Sequence, residues 1–285
     1  MAHTSSIPAE SARKRVVSAA APPVRTSVAL AVFSLWWREI VRFYRQRSRV
    51  MGVILSPLVF WVVIGSGFGN SLRPDATGGG GHYLEYFYPG ALIMIVLFTS
   101  IFAMMSVIED RREGFLLSVL VAPVSRSVIV LGKVLGGTTL AAVQGLVFLL
   151  FAPAVGAQAD LAHLALVVVI VFLVAFCLTA MGFAVAWKMD SAQGFHAVVN
   201  LFLIPLWLLS GALFPIRGAS RWVRAIMWSN PLTYGVEALR AALFPVSYKP
   251  EIGLGASIGV LAAFSGVVFA IAFVIASQRG TKPAA

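Results

Sequence analysis

The chain has 285 residues, of which 59% are hydrophobic and only 12% are charged, and its formal net charge is +11. A soluble domain usually carries about a quarter charged residues, because its surface must face water. The composition therefore excludes a large soluble fold and favours lipid as the solvent for most of the chain. The basic residues flank apolar runs, where phospholipid head groups are better partners than nucleic acid.

The first 49 residues divide into a polar tail and an amphipathic segment. Residues 1–27 are rich in Ser, Ala, Pro, Arg and Lys, which predicts a disordered tail. Residues 28–49 carry two stripes at helical spacing, one apolar and one basic: Phe33, Trp37, Ile40 and Tyr44, then Arg38, Arg42, Arg45 and Arg49. This pattern predicts an interfacial helix in the head-group layer, the alternative being an amphipathic helix packed on protein.

Six apolar runs then follow, each long enough to cross a bilayer, for which a helix needs about 20 residues. They cover residues 50–69, 88–108, 128–155, 161–187, 198–214 and 252–276. The predicted fold class is all-α, a polytopic membrane protein with six transmembrane helices over residues 50–277. Residues 278–285 form a second short tail.

The segment 215–250 lies between the fifth and sixth runs and has an unusual composition. It is too aromatic for a plain loop, and it is too interrupted by prolines and arginines to span the membrane. Short helices that enter the membrane edge and return are the expected structure, so we predict a re-entrant helical hairpin.

The distribution of basic residues predicts the orientation. Nine Lys and Arg residues precede Val50, and the loop after the second run carries Arg111, Arg112 and Arg126. Basic residues in short segments favour the cytoplasmic side, so both termini are expected there. The five basic residues of 215–250 run against this count, and we expect them to reach outer head groups.

The sequence offers little chemistry of its own. The Gly132-Lys133 pair is followed by Val134 and lacks the glycine-rich loop of a nucleotide site. The central parts of the six runs contain no Asp or Glu, which disfavours an ion-coupled carrier without excluding it. The four histidines are scattered and Cys177 is the sole cysteine, so no metal site is expected. A membrane enzyme or assembly factor is the third alternative.

The loop 109–126 begins with charges and a glycine, continues with an apolar turn and then reaches Pro123. Phe115, Leu116, Val119 and Leu120 would be unfavourable on a free loop. They are expected to pack either against a partner protein or against the chain's own membrane surface.

Three segments resemble the ABC type-2 transporter permease family. The first is the loop 109–126, with its acidic start, Gly114 and the Ala-Pro-Val-Ser-Arg ending. The second is 206–215, Leu-Trp-Leu-Leu-Ser-Gly-Ala-Leu-Phe-Pro, which resembles the ending of that family's fifth span. The third is 230–240, Asn-Pro-Leu-Thr-Tyr-Gly-Val-Glu-Ala-Leu-Arg, which resembles its extracellular segment.

The resemblance implies a role for each segment. Residues 28–49 would be the connecting helix, and 109–127 a coupling loop that docks on a separate cytoplasmic ATPase. The docking residues would be Glu109, Arg111, Arg112, Glu113, Gly114, Phe115, Leu116, Val119, Pro123 and Arg126. The segment 215–250 would form the outer gate through Pro231, Tyr234, Glu237 and Arg240. The chain departs from the family at Leu117 and Ser118, where many members carry an acidic residue.

The resemblance also implies a function in the plasma (cell inner) membrane. The chain would be a non-enzymatic permease subunit of an exporter, working as a homodimer with two ATPase copies, which would bind the ATP and magnesium. Its substrate would be amphipathic, drug-like or linked to a lipid or saccharide. Candidate path residues are Thr99, Gln144, Asn200 and Ser210, although such polar residues equally serve in helix packing.

Overall fold

A computed structural model describes residues 27–68, 83–121 and 125–278 of the chain. All regular secondary structure in these residues is helical, which confirms the all-α fold class. The two predicted tails, apart from Ser27 and Gln278, and Pro123 of the predicted coupling loop lie outside the described residues.

The described residues form ten α-helices. They are α1 Val28–Arg45, α2 Arg47–Phe68, α3 Tyr83–Arg112, α4 Phe115–Val121, α5 Arg126–Leu149, α6 Leu161–Lys188, α7 Ala192–Trp207, α8 Arg221–Ser229, α9 Pro231–Leu243 and α10 Leu254–Ser277. Short turns of other helical types cover Ala152–Val155, Leu208–Ala212 and Ile216–Gly218.

Six of these elements are long and apolar enough to cross a membrane: α2, α3, α5, α6, α7 with its following turn, and α10. This confirms the prediction of six spans. The spans differ in how much of each is buried within the chain, from 83% for α3 and 78% for α5 to 22% for α2 and α10. The helix α3 therefore lies at the centre of the bundle, where it packs against α2, α5 and α6, and α10 covers α6.

Two helix ends differ clearly from the sequence-based boundaries. The helix α5 ends at Leu149 and not at 155, because Pro153 enters a tight turn that Gly156 closes in the left-handed conformation, with φ at 72°. The helix α7 begins at Ala192 and not at 198, because the Ser191 hydroxyl accepts the backbone N–H of Gly194 at 3.0 Å and caps the helix.

The second span begins at Tyr83, earlier than predicted, and the aromatic residues of its first turns bind the end of the fifth span. The predicted helix 28–49 is divided at Gln46, whose backbone leaves the helical conformation with ψ at 76°. The basic residues at 47 and 49 therefore belong to the start of α2.

The amphipathic helix α1 lies directly against α5. A Cβ atom on Gly132 would be 2.6 Å from Leu35 Cβ, and one on Gly136 would be 2.8 Å from Glu39 Cβ. The two glycines, one turn apart, thus allow the two backbones to approach closely. The opposite side of α1 is exposed and carries Phe33, Trp37, Val41 and Tyr44. Contact of this side with head groups stays a prediction.

The segment 215–250 contains two helices that meet at Asn230. The helix α9 is largely buried and packs against α6 and α10, whereas α8 buries only Met227. How deeply this pair enters the membrane also stays a prediction.

Candidate functional site

A cluster of buried charged side chains joins three helices at the end of the bundle that carries α4. Glu39 of α1, Asp110 of α3 and Lys133 of α5 are each at most 3% exposed. The Lys133 Nζ donates to Glu39 Oε1 at 2.6 Å, to Ser106 Oγ at 3.0 Å and to an oxygen of Asp110. The Ser106 hydroxyl donates to Glu39 Oε2 at 2.6 Å. We call Glu39, Ser106, Asp110 and Lys133 the buried ion cluster.

The cluster satisfies the hydrogen-bonding requirements of its cation. An ammonium group has three N–H donors, and each donor of Lys133 has its own acceptor. Burying a charge is costly unless the charge is paired and hydrogen-bonded, and this arrangement meets both conditions.

Two arginines of α1 complete the cluster from its more open side. Arg38 binds Asp110 through both guanidinium ends, at 2.9 and 2.7 Å, and Arg42 binds the same carboxylate at 2.6 Å. Arg42 also reaches Glu109 at 2.8 Å. The hydrogen bonds and charge of Asp110 raise the pKa of Arg38. Two of the four arginines in the predicted basic stripe, Arg38 and Arg42, therefore bind α3.

The apolar face of α4 packs against the chain itself. Leu116 is 5% exposed and lies in a cluster with Leu35, Val128 and Ile129, which Phe115 and Val119 partly cover. The Arg38 guanidinium lies 3.6 Å from the centre of the Phe115 ring. The sequence left open whether these apolar side chains pack on a partner protein or on the chain itself. In the structure they pack on the chain itself.

Gly114 makes this packing geometry possible. It adopts a φ of 76° between α3 and α4, a conformation that suits glycine. The described side chains left exposed around this turn are Arg112, Glu113 and Ser118.

The remaining two arginines of the loop bind the ends of other spans. Arg111 donates to the backbone oxygens of Trp187 at 2.6 Å and Met189 at 3.0 Å, at the end of α6. Arg126 donates to the backbone oxygen of Gln278 at 3.1 Å, at the end of α10. Cations at helix C-termini bind carbonyls that have no helical partner. The loop is thereby tied to four spans: α3 and α5 directly, and α6 and α10 through arginines.

At the opposite end, the fifth span loses its regular helix in the turn after Trp207. Leu209 and Gly211 are not helical there, and Gly211 has a φ of 82°. The Asn230 side chain donates to the backbone oxygens of Leu206 at 2.5 Å and Leu209 at 3.1 Å. A membrane interior offers no water for such groups, so a side chain must satisfy them.

Arg240 of α9 binds the same broken helix end. Its guanidinium donates to the backbone oxygens of Gly211 at 3.1 Å and Tyr86 at 3.2 Å, and lies 4.0 Å from the centre of the Tyr86 ring. Glu237, also buried, accepts from the Tyr248 hydroxyl at 2.6 Å. The second and third segments that carried the resemblance, 206–215 and 230–240, are therefore partners in one hydrogen-bond network.

The other two predicted gate residues, Pro231 and Tyr234, have local structural roles in α9. Pro231 is the first residue of α9, where its missing N–H is not needed. The Tyr234 hydroxyl donates to the backbone oxygen of Trp228 at 2.8 Å and so ties α9 to α8.

The four predicted path residues are dispersed. Thr99 and Ser210 are buried and donate to backbone oxygens of their own segments, at 2.8 and 2.6 Å. Gln144 is buried, with no partner for its Oε1 among the described residues, and Asn200 is exposed on α7. The first two fit the packing role that the sequence left open.

A cavity of about 540 Å³ lies between α2 and α3, toward the end that carries α1. Its lining is mostly apolar: Gln46, Gly52, Val53, Ser56, Pro57, Phe98 and Phe102. This volume is in the range of small-molecule sites.

Sequence reasoning missed all four residues of the buried ion cluster, Glu39, Ser106, Asp110 and Lys133. A signal was present, because Glu39 is the sole acidic residue of α1, and Lys133 is the sole charge of α5 after its first residue. Charges within spanning segments are costly and usually have a charged partner. Two isolated charges of opposite sign on separate helices thus indicate a pair.

Six helices that are long and apolar enough to cross a membrane define a multi-pass membrane protein. The chain belongs to the ABC-2 type transporter family, whose model matches residues 31–244. It is accordingly an ABC transporter membrane subunit, and the family associates with an ABC ATPase.

Three similar proteins align with most of the chain. The putative transport permease ycf38 of Cyanophora paradoxa is 28% identical over 251 residues, which cover 84% of this chain and 86% of that protein. The daunorubicin resistance ABC transporter permease protein DrrB1 of Streptomyces coeruleorubidus is 23% identical over 92% of each chain. The ycf38 protein of Porphyra purpurea is 25% identical over 71% of this chain and 70% of its own length.

Proposed function

We propose that this chain is the permease subunit of an ATP-driven exporter, which moves an amphipathic, drug-like or lipid- or saccharide-linked molecule outward. The observation that carries the proposal is the position of α4. Its apolar face is anchored on α1 and α5, while Arg112, Glu113 and Ser118 remain exposed for a separate ATPase. ATP and magnesium would bind to that ATPase.

The contacts of α4 with the rest of the chain would transmit its displacement to the spans. Closure of two ATPase copies would displace α4, and the contacts of Leu116, Phe115, Arg111 and Arg126 would carry this displacement to α1, α3, α5, α6 and α10. A bound nucleotide shifts the permease only through contacts that differ between its two states. The loop and its arginines are the contacts we expect to differ.

The cavity between α2 and α3 supports an apolar or amphipathic substrate. Two phenylalanine rings, Phe98 and Phe102, line it, and Gln46 adds an amide at its edge. A relative named for daunorubicin resistance agrees with a drug-like cargo. Gln144 and Asn200, on α5 and α7, remain candidate path residues.

We propose that two identical permease chains assemble with the two ATPase copies in the plasma (cell inner) membrane, both termini being cytoplasmic. Apolar side chains exposed on two spans leave room for a second copy. The helix α2 exposes Met51, Leu55, Val59 and Val63, and α7 exposes Leu201 and Phe202. These side chains would face a second permease copy or lipid.

One observation favours a second candidate, an ion-coupled carrier. The buried ion cluster contains titratable groups within the bundle, as proton-driven carriers require. Its cation is fully hydrogen-bonded, however, and it lies near the ends of α3 and α5 and not at mid-span. The exporter is therefore the better supported function.

The exporter is tested by affinity purification of the chain, identification of any ABC ATPase that accompanies it, and transport by the reconstituted complex. ATP should drive transport of a fluorescent amphipathic drug, and Ser118→Trp should remove the ATPase from the complex. Ser229→Trp, on exposed α8, is the matched control and should retain it. Transport by the chain alone along a proton or sodium gradient would contradict the proposal.

A further inference from the structure

The charges around Lys133 form one connected network. Three cations, Arg38, Arg42 and Lys133, bind four carboxylates, those of Glu39, Glu109, Asp110 and, at 3.4 Å from Arg42, Glu113. Burial increases toward the interior, where the side chains of Lys133 and Glu39 are 2% and 3% exposed. Asp110, which Lys133 also binds, is 0% exposed, so Lys133, Glu39 and Asp110 are the charges most shielded from solvent.

Removal of Lys133 would affect the two carboxylates unequally. Asp110 would keep its bonds to Arg38 and Arg42. Among the described residues, Glu39 would keep only the Ser106 hydroxyl at 2.6 Å and the more distant Arg38, whose nearest nitrogen is at 3.8 Å. Without Lys133, Glu39 is therefore left as a buried and nearly unpaired charge.

Backbone packing brings this pair together. Gly132 and Gly136 lie on either side of Lys133 in the sequence, and both admit α1 to close contact with α5. Because α1 lies so close to α5, the Lys133 amino group binds Glu39 of α1 and Asp110 of α3 at the same time. One side chain thus holds three helices close to Leu35 and Ile129, on which Leu116 of α4 packs.

We infer that Lys133 is a positioning residue, which fixes α1, α3 and α5 to one another so that a displacement of α4 moves them as one body. This inference rests on the proposed exporter function. A buried ion pair contributes little net stability relative to apolar side chains of similar size, because the charges must be desolvated. Its main effect is to select one arrangement of the helices, and here that arrangement transmits movement.

The test compares two variants in the permease–ATPase complex. Lys133→Met leaves Glu39 unpaired and should lower the yield of folded protein. The double variant Lys133→Met/Glu39→Gln removes the pair with its charge balance intact, so it should fold with a melting temperature near that of the wild type. The decisive measurement is the number of substrate molecules transported per ATP hydrolysed.

We expect this ratio to fall about tenfold in the double variant, while ATP hydrolysis and substrate affinity stay near wild-type values. Lys188→Met removes an exposed lysine at the end of α6 and should leave the ratio unchanged. A double variant with the wild-type ratio would overturn the inference. A much lower melting temperature of the double variant would also overturn it, because the pair would then serve only to stabilise the fold. Failure of the exporter function itself is recognised separately, by absence of ATP-driven transport in the wild type.

Discussion

Asn230 shows how one side chain can compensate for a broken membrane helix. Its amide nitrogen donates to two backbone oxygens of the fifth span, and its amide oxygen accepts the N–H of Leu232 at the start of α9. The residue therefore joins the two segments and caps a helix at the same time. Backbone groups away from water need such partners where a regular helix ends.

We predict that Asn230→Ala lowers the free energy of unfolding by about 1–3 kcal/mol, because buried polar groups lose their partners. Thermal unfolding in detergent measures this loss as a lower melting temperature. The control is Asn200→Ala, the same substitution at an exposed position of α7, which should leave the melting temperature almost unchanged. Equal effects of the two substitutions would contradict the assigned role.

Tyr248 gives a prediction about alkaline pH. Burial raises the pKa of its hydroxyl, which donates to Glu237. A raised pKa in the folded state means that the contribution to stability is complete below the unfolded-state pKa, about 10 for tyrosine, and is lost as the pH rises further. The stability difference between wild type and Tyr248→Phe should therefore decrease above about pH 10. Melting temperatures of both proteins from neutral to alkaline pH test this, and a difference that grows would refute it.

At the level of single elements, the contact between α1 and α5 depends on small residues. Gly132 faces Leu35, and Gly136 faces Glu39, at distances that leave no room for a methyl group. The same contact orients Arg38 and Arg42 toward Asp110. The amphipathic helix is thus part of the protein core on one side and exposed on the other.

Gly132→Ala should weaken this contact. The new methyl group would overlap Leu35 and cost about 1–3 kcal/mol, as overpacking does. We expect a lower melting temperature and faster trypsin cleavage at the exposed Arg45 and Arg47, since α1 would detach more often. Gly259→Ala in α10 has no neighbour within 4 Å and should leave both measurements unchanged. Normal protease resistance in Gly132→Ala would count against the packing.

For the whole molecule, the orientation in the membrane follows from where the basic residues lie. The arginines of the 109–126 loop are tied to the ends of α6 and α10, so this loop marks one common end of the bundle. The exposed α8 belongs to the segment that leads into the sixth span, at the other end. We expect the loop to be cytoplasmic and α8 to be external.

Cysteine labelling tests this orientation. Cys177 is the sole cysteine of the chain and is buried, so Cys177→Ala provides a background without thiols. In that background, a membrane-impermeant maleimide should label Ala225→Cys in intact cells and label Ser118→Cys only after the cells are opened. Both positions are exposed, so reversed labelling would mean that the orientation is wrong.

The number and type of the spans were predictable because a chain in lipid must satisfy its backbone internally, and a long apolar run can do so only as a helix. The family was predictable too, since the segments 109–126, 206–215 and 230–240 resemble it in residue order alone. The ends of α5 and α7 were less predictable, because Pro153 and Ser191 act locally within otherwise apolar runs.

The amino-acid sequence by itself thus determined that the chain is an all-α membrane protein of six spans, since hydropathy depends on composition along the chain. Only the tertiary structure decided what the polar residues do. Helical periodicity places Arg38 and Glu39 on faces of α1, but it does not say which helix those faces meet. Lys133 binds Glu39 and Asp110 because close packing of α1, α3 and α5 brings together residues that are far apart in sequence.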